Sequence, residues 1–183
     1  MGRSWIIVGF AIVLAFSSLV LIIGIQLMDN AQQSMAESWM FKGAYAMYEG
    51  KIDLFSKPYN LTAEIQVTDI SASNVQIRTN STIATSFMPA LTDQVIQWVN
   101  KTNINFQPKG ETLARTYITQ IVVRNIGNRN CTVYEYTNEA INATYYVDNV
   151  LLWPIRIVYT VAFENQTYIM EFNLKDTNIK GLS

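Results

Sequence analysis

Between Trp5 and Leu27 the chain runs for 23 positions without one charged side chain. At 1.5 Å per helical residue such a run is about 34 Å long, enough to cross a hydrocarbon core of roughly 30 Å. A secretory h-region is shorter, about 7–15 residues, and ends at a small-residue cleavage site. Here Ala15-Phe16-Ser17-Ser18 is followed at once by Leu19-Val20-Leu21-Ile22-Ile23-Gly24-Ile25, which cleavage would leave as a naked apolar stub. Residues 5–27 are therefore read as an uncleaved transmembrane signal-anchor helix in the lipid bilayer. Arg3 and the amino terminus precede it and Asp29 follows. Positive-inside logic then puts a tip, residues 1–4, in the cytoplasm and residues 28–183 outside, a single-pass topology at the cell membrane. Ala11 and Ala15 lie four apart, so two such helices can approach closely along that face, a route to self-association.

The remaining chain is long enough for one domain with a real core. Charged residues make up 15% of the sequence and the net charge is −1, which excludes a basic footprint for nucleic acid. Amides and hydroxyls take the place of charge. Six Asn-x-Thr sequons begin at Asn60, Asn80, Asn100, Asn130, Asn142 and Asn165, all beyond the apolar run, and are read as acceptors of N-linked glycans. The lone cysteine, Cys131, rules out an intrachain disulfide and is read as a half-buried small hydrophobe in a β-type run.

After the apolar run a three- and four-residue periodicity continues: Met28, Ala31, Met35, Ala36, Trp39, Met40, Gly43 and Met47. It predicts a juxtamembrane helical stalk over 28–50, stopped at Gly50. Trp39, Phe41, Tyr45 and Tyr48 form its partner-binding surface, for the domain itself, the lipid interface or another membrane or envelope protein. From Asn60 onward strand alternation dominates. Ala63, Ile65 and Val67 alternate with polar residues, with Val75-Gln76-Ile77-Arg78 as a hairpin partner. Tyr117, Thr119, Ile121 and Val123 share a face. Ile155 to Phe163 and Tyr168 to Leu174 form a hairpin with its turn at Glu164 to Gln166. Pro89 with Leu91, Val95, Trp98 and Val99 at helical spacing predicts one short helix. Pro154 inside an apolar run belongs on an edge strand or at a bulge. Seven or eight short strands separated by turns point to a mainly β extracellular domain over 51–183, an antiparallel β-sandwich of immunoglobulin-like architecture.

The chain contains no histidine, which removes the commonest general base and metal ligand. No nucleophile elbow, Cys-x-x-Cys pair, Walker loop or dinucleotide glycine pattern occurs. Glu135, Glu139 and Asp148 lack metal-ligand spacing, so no catalytic residue, metal or cofactor is assigned and an enzyme is not expected. The tyrosines of the last third, Tyr134, Tyr136 and Tyr145 among them, are read first as cross-strand packing and second as an interaction face.

These features describe a membrane-anchored, N-glycosylated cell-surface protein with a structural or interaction role in the envelope. An Asn-, Ile-, Tyr- and Thr-rich ectodomain with many sequons and one cysteine has the composition of an archaeal surface protein. The layout, an apolar N-terminal helix running into a β-rich head, is similar to archaeal type IV pilins, which implies packing of that helix in a filament core. The similarity covers layout only, since processing after Gly2 would leave Arg3 at the start of the mature chain. A further alternative is an outward-facing, non-catalytic subunit of an archaeal membrane oxidoreductase complex.

Overall fold

The computed structural model describes residues 39–54, 57–85, 88–101, 112–123, 126–137, 141–163 and 166–182. The apolar run 5–27, most of the stalk and Asn165 lie outside them. Among the described residues no helix is long and apolar enough to cross a membrane.

Nine strands follow one another: β1 (Tyr45–Leu54), β2 (Lys57–Ile70), β3 (Asn74–Thr85), β4 (Met88–Asn100), β5 (Thr112–Val123), β6 (Gly127–Thr137), β7 (Ile141–Asp148), β8 (Pro154–Phe163) and β9 (Gln166–Thr177). They form a single antiparallel sheet in the order β4-β3-β2-β1-β9-β8-β7-β6-β5. The two-sheet immunoglobulin-like sandwich expected from the strand count is not what forms. Every sequence neighbour pairs with the next except β4 with β5, and the first strand pairs with the last.

Alternation dictates which face is core. One transverse row runs through Leu91, Ile83, Leu61, Gly50, Phe172, Ile157, Tyr145, Tyr134 and Thr116, one residue from each strand. On this core face Leu61, Ile83, Phe172, Ile157 and Tyr145 are all fully buried. The described residues supply no second layer, and one hydrophobic cluster joins Leu61, Val75 and Ile83 of one half to Tyr145, Ile157 and Tyr159 of the other. A sheet coiled towards a barrel meets that requirement, and register shifts in β1–β9, β2–β3, β3–β4, β5–β6 and β7–β8 supply the bends. The outer face carries Arg156–Glu171 at 2.9 Å, Arg78–Glu64 at 3.8 Å and Lys175–Glu49. Such surface pairs contribute about 0–1 kcal/mol each, so the core face holds the fold together.

One end of the coiled sheet is plugged. Trp39 and Trp153 pack edge to face with ring centroids 4.9 Å apart. The Trp153 indole N–H donates to the Tyr48 hydroxyl (2.8 Å), which donates to the Pro154 carbonyl (2.7 Å). Leu151 and, from the carboxyl-terminal tail, Ile179 and Leu182 are buried as well. Asp148 holds the connecting loop by accepting the Val150 and Leu151 N–H groups at 2.9 Å each. Arg129 reaches both the Asp148 carboxylate (3.7 Å) and the Gly181 carbonyl.

Two helical expectations are corrected. Residues 45–50, the end of the proposed stalk, are the first half of β1, and the domain begins no later than the buried Trp39 rather than at residue 51. Gly50 stops no helix. A Cβ there would lie 2.5 Å from the Glu171 carbonyl oxygen, so the glycine permits the close approach of β1 to β9. The short helix at Pro89 is instead β4. Leu91, Val95 and Val99 are four apart, a spacing that keeps one face in a helix and equally in a strand, and the β-branched residues and the β3 partner decide for the strand. Other expectations hold. The β8–β9 hairpin turns between Phe163 and Gln166. Val67 pairs with Ile77. Pro154 stands opposite Val147, where the β7–β8 register shifts.

Two outcomes are expected from this arrangement. Tyr48→Phe leaves a buried N–H and a buried carbonyl without partners and costs about 1–3 kcal/mol in urea unfolding. A fragment starting at Lys51 lacks Ala46, Tyr48 and Gly50 and shows no cooperative melting by circular dichroism, whereas one starting at residue 38 does.

Candidate functional site

The core pattern reaches both edges of the sheet, and the two edges treat it differently. On β4 the core-face residues Leu91, Val95 and Val99 are half-buried. On β5 the residues on that same face, set by pairing with Tyr136, Tyr134, Thr132, Asn130 and Asn128 of β6, are Leu113, Thr116, Ile118, Gln120 and Val122. Ile118 is 74% exposed and Val122 79%. Apolar side chains in ladder register with the core and with no described residue over them are the largest anomaly of the described surface.

Strand β5 carries apolar side chains on both faces. Tyr117, Thr119 and Ile121 are half-buried, opposite Val133, Cys131 and Arg129, and share their face with the buried Val123; Ile121 packs against the core cluster. Its one charged residue is Arg115, which donates two 2.9 Å hydrogen bonds to Glu135 of β6 and lies 4.7 Å from the Tyr117 ring centroid. That guanidinium holds the Glu135 carboxyl below the ordinary range. The charge of the edge strand is thus neutralised within the sheet. The other edge is blunted in two familiar ways, by Pro89 near its start and by Asp93, which sits on the core face opposite Ser81.

Of the residues expected to bind partners, Trp39 and Tyr48 are buried in the end plug. Phe41 stays 37% exposed in the turn before β1. Tyr45 is half-buried, donating its hydroxyl to Asp176 at 3.0 Å, a bond that raises its pKa. The structure does not gather the four into one surface. Among the sequon asparagines, Asn60, Asn100, Asn130 and Asn142 are exposed, and Asn80 is half-buried, accepting from the Gln94 amide at 2.7 Å. By strand parity Asn60, Asn80, Asn100 and Asn142 lie on the outer face, and Asn130 lies on the core face at the rim, opposite Gln120. Tyr136 and Tyr145 are core, packed edge to face at 5.8 Å, and Tyr145 shares a 2.5 Å hydrogen bond with Tyr159.

The β5 rim was missed from sequence because the alternation of Tyr117, Thr119, Ile121 and Val123 accounts for one face only. The available signal was the stretch Ile118 to Val123, apolar at both parities, which is how a strand covered on both sides reads.

Cys131 is fully buried beneath this region. Burial, with the Asp148 charge adding to it, pushes its thiol up to about 11. Because the folded value lies above the ordinary one near 9, the stabilisation is complete below about pH 9. It fades as pH rises from 9 to 11. An aromatic disulfide reagent at pH 8 is expected to leave the folded protein unlabelled and to label it rapidly in urea.

No protein-family model matches the sequence, and no curated protein is similar enough to count as a relative. Solved structures match only distantly. A protein described as exported, of YmcC-like fold, from Bacteroides fragilis is 11% identical with a TM-score of 0.43, over 74% of this chain and 97% of that one. A domain described as outer-membrane lipoprotein-sorting, from Vibrio parahaemolyticus, is 6% identical with a TM-score of 0.33, over 82% and 89%. The S-type phycobiliprotein lyase of Guillardia theta is 6% identical with a TM-score of 0.35, over 82% and 99%. At these scores what this chain does has to be read from its own residues.

Proposed function

We propose that this chain is a membrane-anchored envelope protein. Its N-glycosylated β-domain stands outside the cell and engages a neighbouring protein through the β5 rim. The observation that carries the reading is Ile118 and Val122, in core register yet 74% and 79% exposed. A strand of that composition, its one charge already neutralised, recognises an extended polypeptide by backbone pairing and apolar side-chain contact. The apolar run 5–27 supports placement at the membrane. The sequons on the outer face support glycans on the side turned from the core, where they solvate a low-charge surface. The role is structural, with specificity in strand register and not in a titrating centre. The contact lies on the β-domain, which favours this reading over a filament built on packed apolar helices.

Full-length protein in native membranes tests it. The wild type is expected to resist carbonate extraction, to exceed its sequence mass by whole glycans, and to migrate with a partner in blue-native electrophoresis. Ile118→Glu with Val122→Glu should abolish the co-migration and change unfolding free energy by no more than about 0.5 kcal/mol, as exposed sites allow. Carbohydrate-free protein released by carbonate, or an unaltered complex in the double variant, overturns the proposal.

A further inference from the structure

The two edges of the sheet are not equivalent, and the difference indicates what pairs with β5. Edge strands are guarded by proline, lysine, inward-pointing charge or bulges. Strand β4 exposes Ile96 and Trp98 on its outer face, but it has Pro89 and the inward Asp93. Strand β5 has no proline and no lysine, and its Arg115 is held by Glu135. Its 117–123 stretch is also self-complementary. Laid antiparallel against a second copy about a twofold axis through Gln120, the exposed Ile118 faces Val122′ on one face, and on the other the half-buried Tyr117 faces Val123′, which is already buried in its own domain. Thr119 faces Ile121′. Gln120 meets Gln120′, where two amides can bond each other, and no like charges come opposite within the stretch. Cross-strand pairs of aromatic and β-branched residues of this kind contribute favourably on both faces.

Resting on the reading of β5 as the partner edge, we infer that the partner includes a second copy of this chain. Two domains join β5 to β5′ antiparallel into one continuous eighteen-stranded sheet. The contact is isologous and closes at two, whereas pairing β5 with the β4 edge of the next molecule would propagate without limit, and β4 is the blunted edge. The sequon residue Asn130 stands one strand back from the junction. The two Asn130 side chains are three strand spacings apart, about 14 Å, which leaves room for a glycan on each.

The test uses the full chain. Gln120→Cys is read for oxidative cross-linking in native membranes and Thr92→Cys on β4 serves as control, with the buried Cys131 contributing no background. Residues paired directly across an antiparallel ladder have Cα atoms about 4.5–5.5 Å apart, within disulfide reach. Sedimentation in detergent gives the mass of the wild type and of Ile118→Lys with Val122→Lys. The expected result is a dimeric wild type, a monomeric double variant with an unchanged circular dichroism spectrum, and a cross-linked dimer from position 120 but not from position 92. A monomeric wild type overturns the inference while leaving β5 as a partner edge, provided that Ile118→Glu with Val122→Glu still loses its blue-native complex. A dimer that survives the lysine substitutions, or one cross-linked from position 92, overturns it as well. Should the lysine variant unfold, the cross-link at the exposed position 120 decides alone.

Discussion

Pairing of the first strand with the last unites two meanders that would otherwise be separate half-sheets. Strands β1 to β4 form one run of hairpins and β5 to β9 the other, and among the described strands the β1–β9 ladder is the one backbone pairing between them. That ladder is locked at its end by polar groups from residues more than 130 positions apart. Asn178 accepts the Tyr45 N–H at 2.8 Å and donates to the Gly43 carbonyl at 2.9 Å, and Thr177 donates to the Tyr45 carbonyl at 2.6 Å. At its centre Gly50 lets the backbones approach, and Tyr48 carries the seam into the end plug. Such long-range closure costs chain entropy before it is rewarded, so the domain belongs among slow-folding β proteins. It also explains why Tyr48, Trp39 and the buried tail residues Ile179 and Leu182 form one unit: all hold the two chain ends of the domain together.

Much of this was legible in the residues. Strict alternation in Ala63 to Val67 and in Ile155 to Leu174 specified strands and their hairpin partners, because a period of two admits one buried face. The bulge at Pro154 followed from its missing donor. What failed was any pattern with spacing four. Leu91, Val95 and Val99 satisfy both periods, and local spacing cannot say that β3 waits alongside. The 45–50 segment failed for a related reason. Its helical residues were counted together with those before it, while the strands that claim it, β2 and β9, are far away in sequence. The choice between a sandwich and one coiled sheet was likewise beyond local pattern, since both consume the same alternating strands.

The candidate site was less legible than the fold. Aromatic residues drew notice as binding groups, yet Trp39, Tyr48, Tyr136 and Tyr145 are buried because large rings fill the interior of a curved sheet. The aliphatic Ile118 and Val122 are instead the most exposed large apolar residues described, ahead of Trp98. Whether an aliphatic strand residue is core or surface depends on where the curl ends, and only pairing order reveals that.

Strand number ties the site to the fold. With nine strands in a row and every neighbouring pair antiparallel, β4 and β5 run in the same direction. A closed all-antiparallel barrel needs an even number, so these two strands cannot meet through an antiparallel ladder as the rest do, and among the described strands they stay unpaired at the two ends of the sheet. Edges are a liability to be managed, and this chain manages one of them. Had both been left apolar and unguarded, copies would add edge to edge in open chains. Had both been blunted, the exposed core register of β5 would serve nothing and would only promote aggregation. One guarded edge and one open edge is the combination that limits association to a single, directed contact.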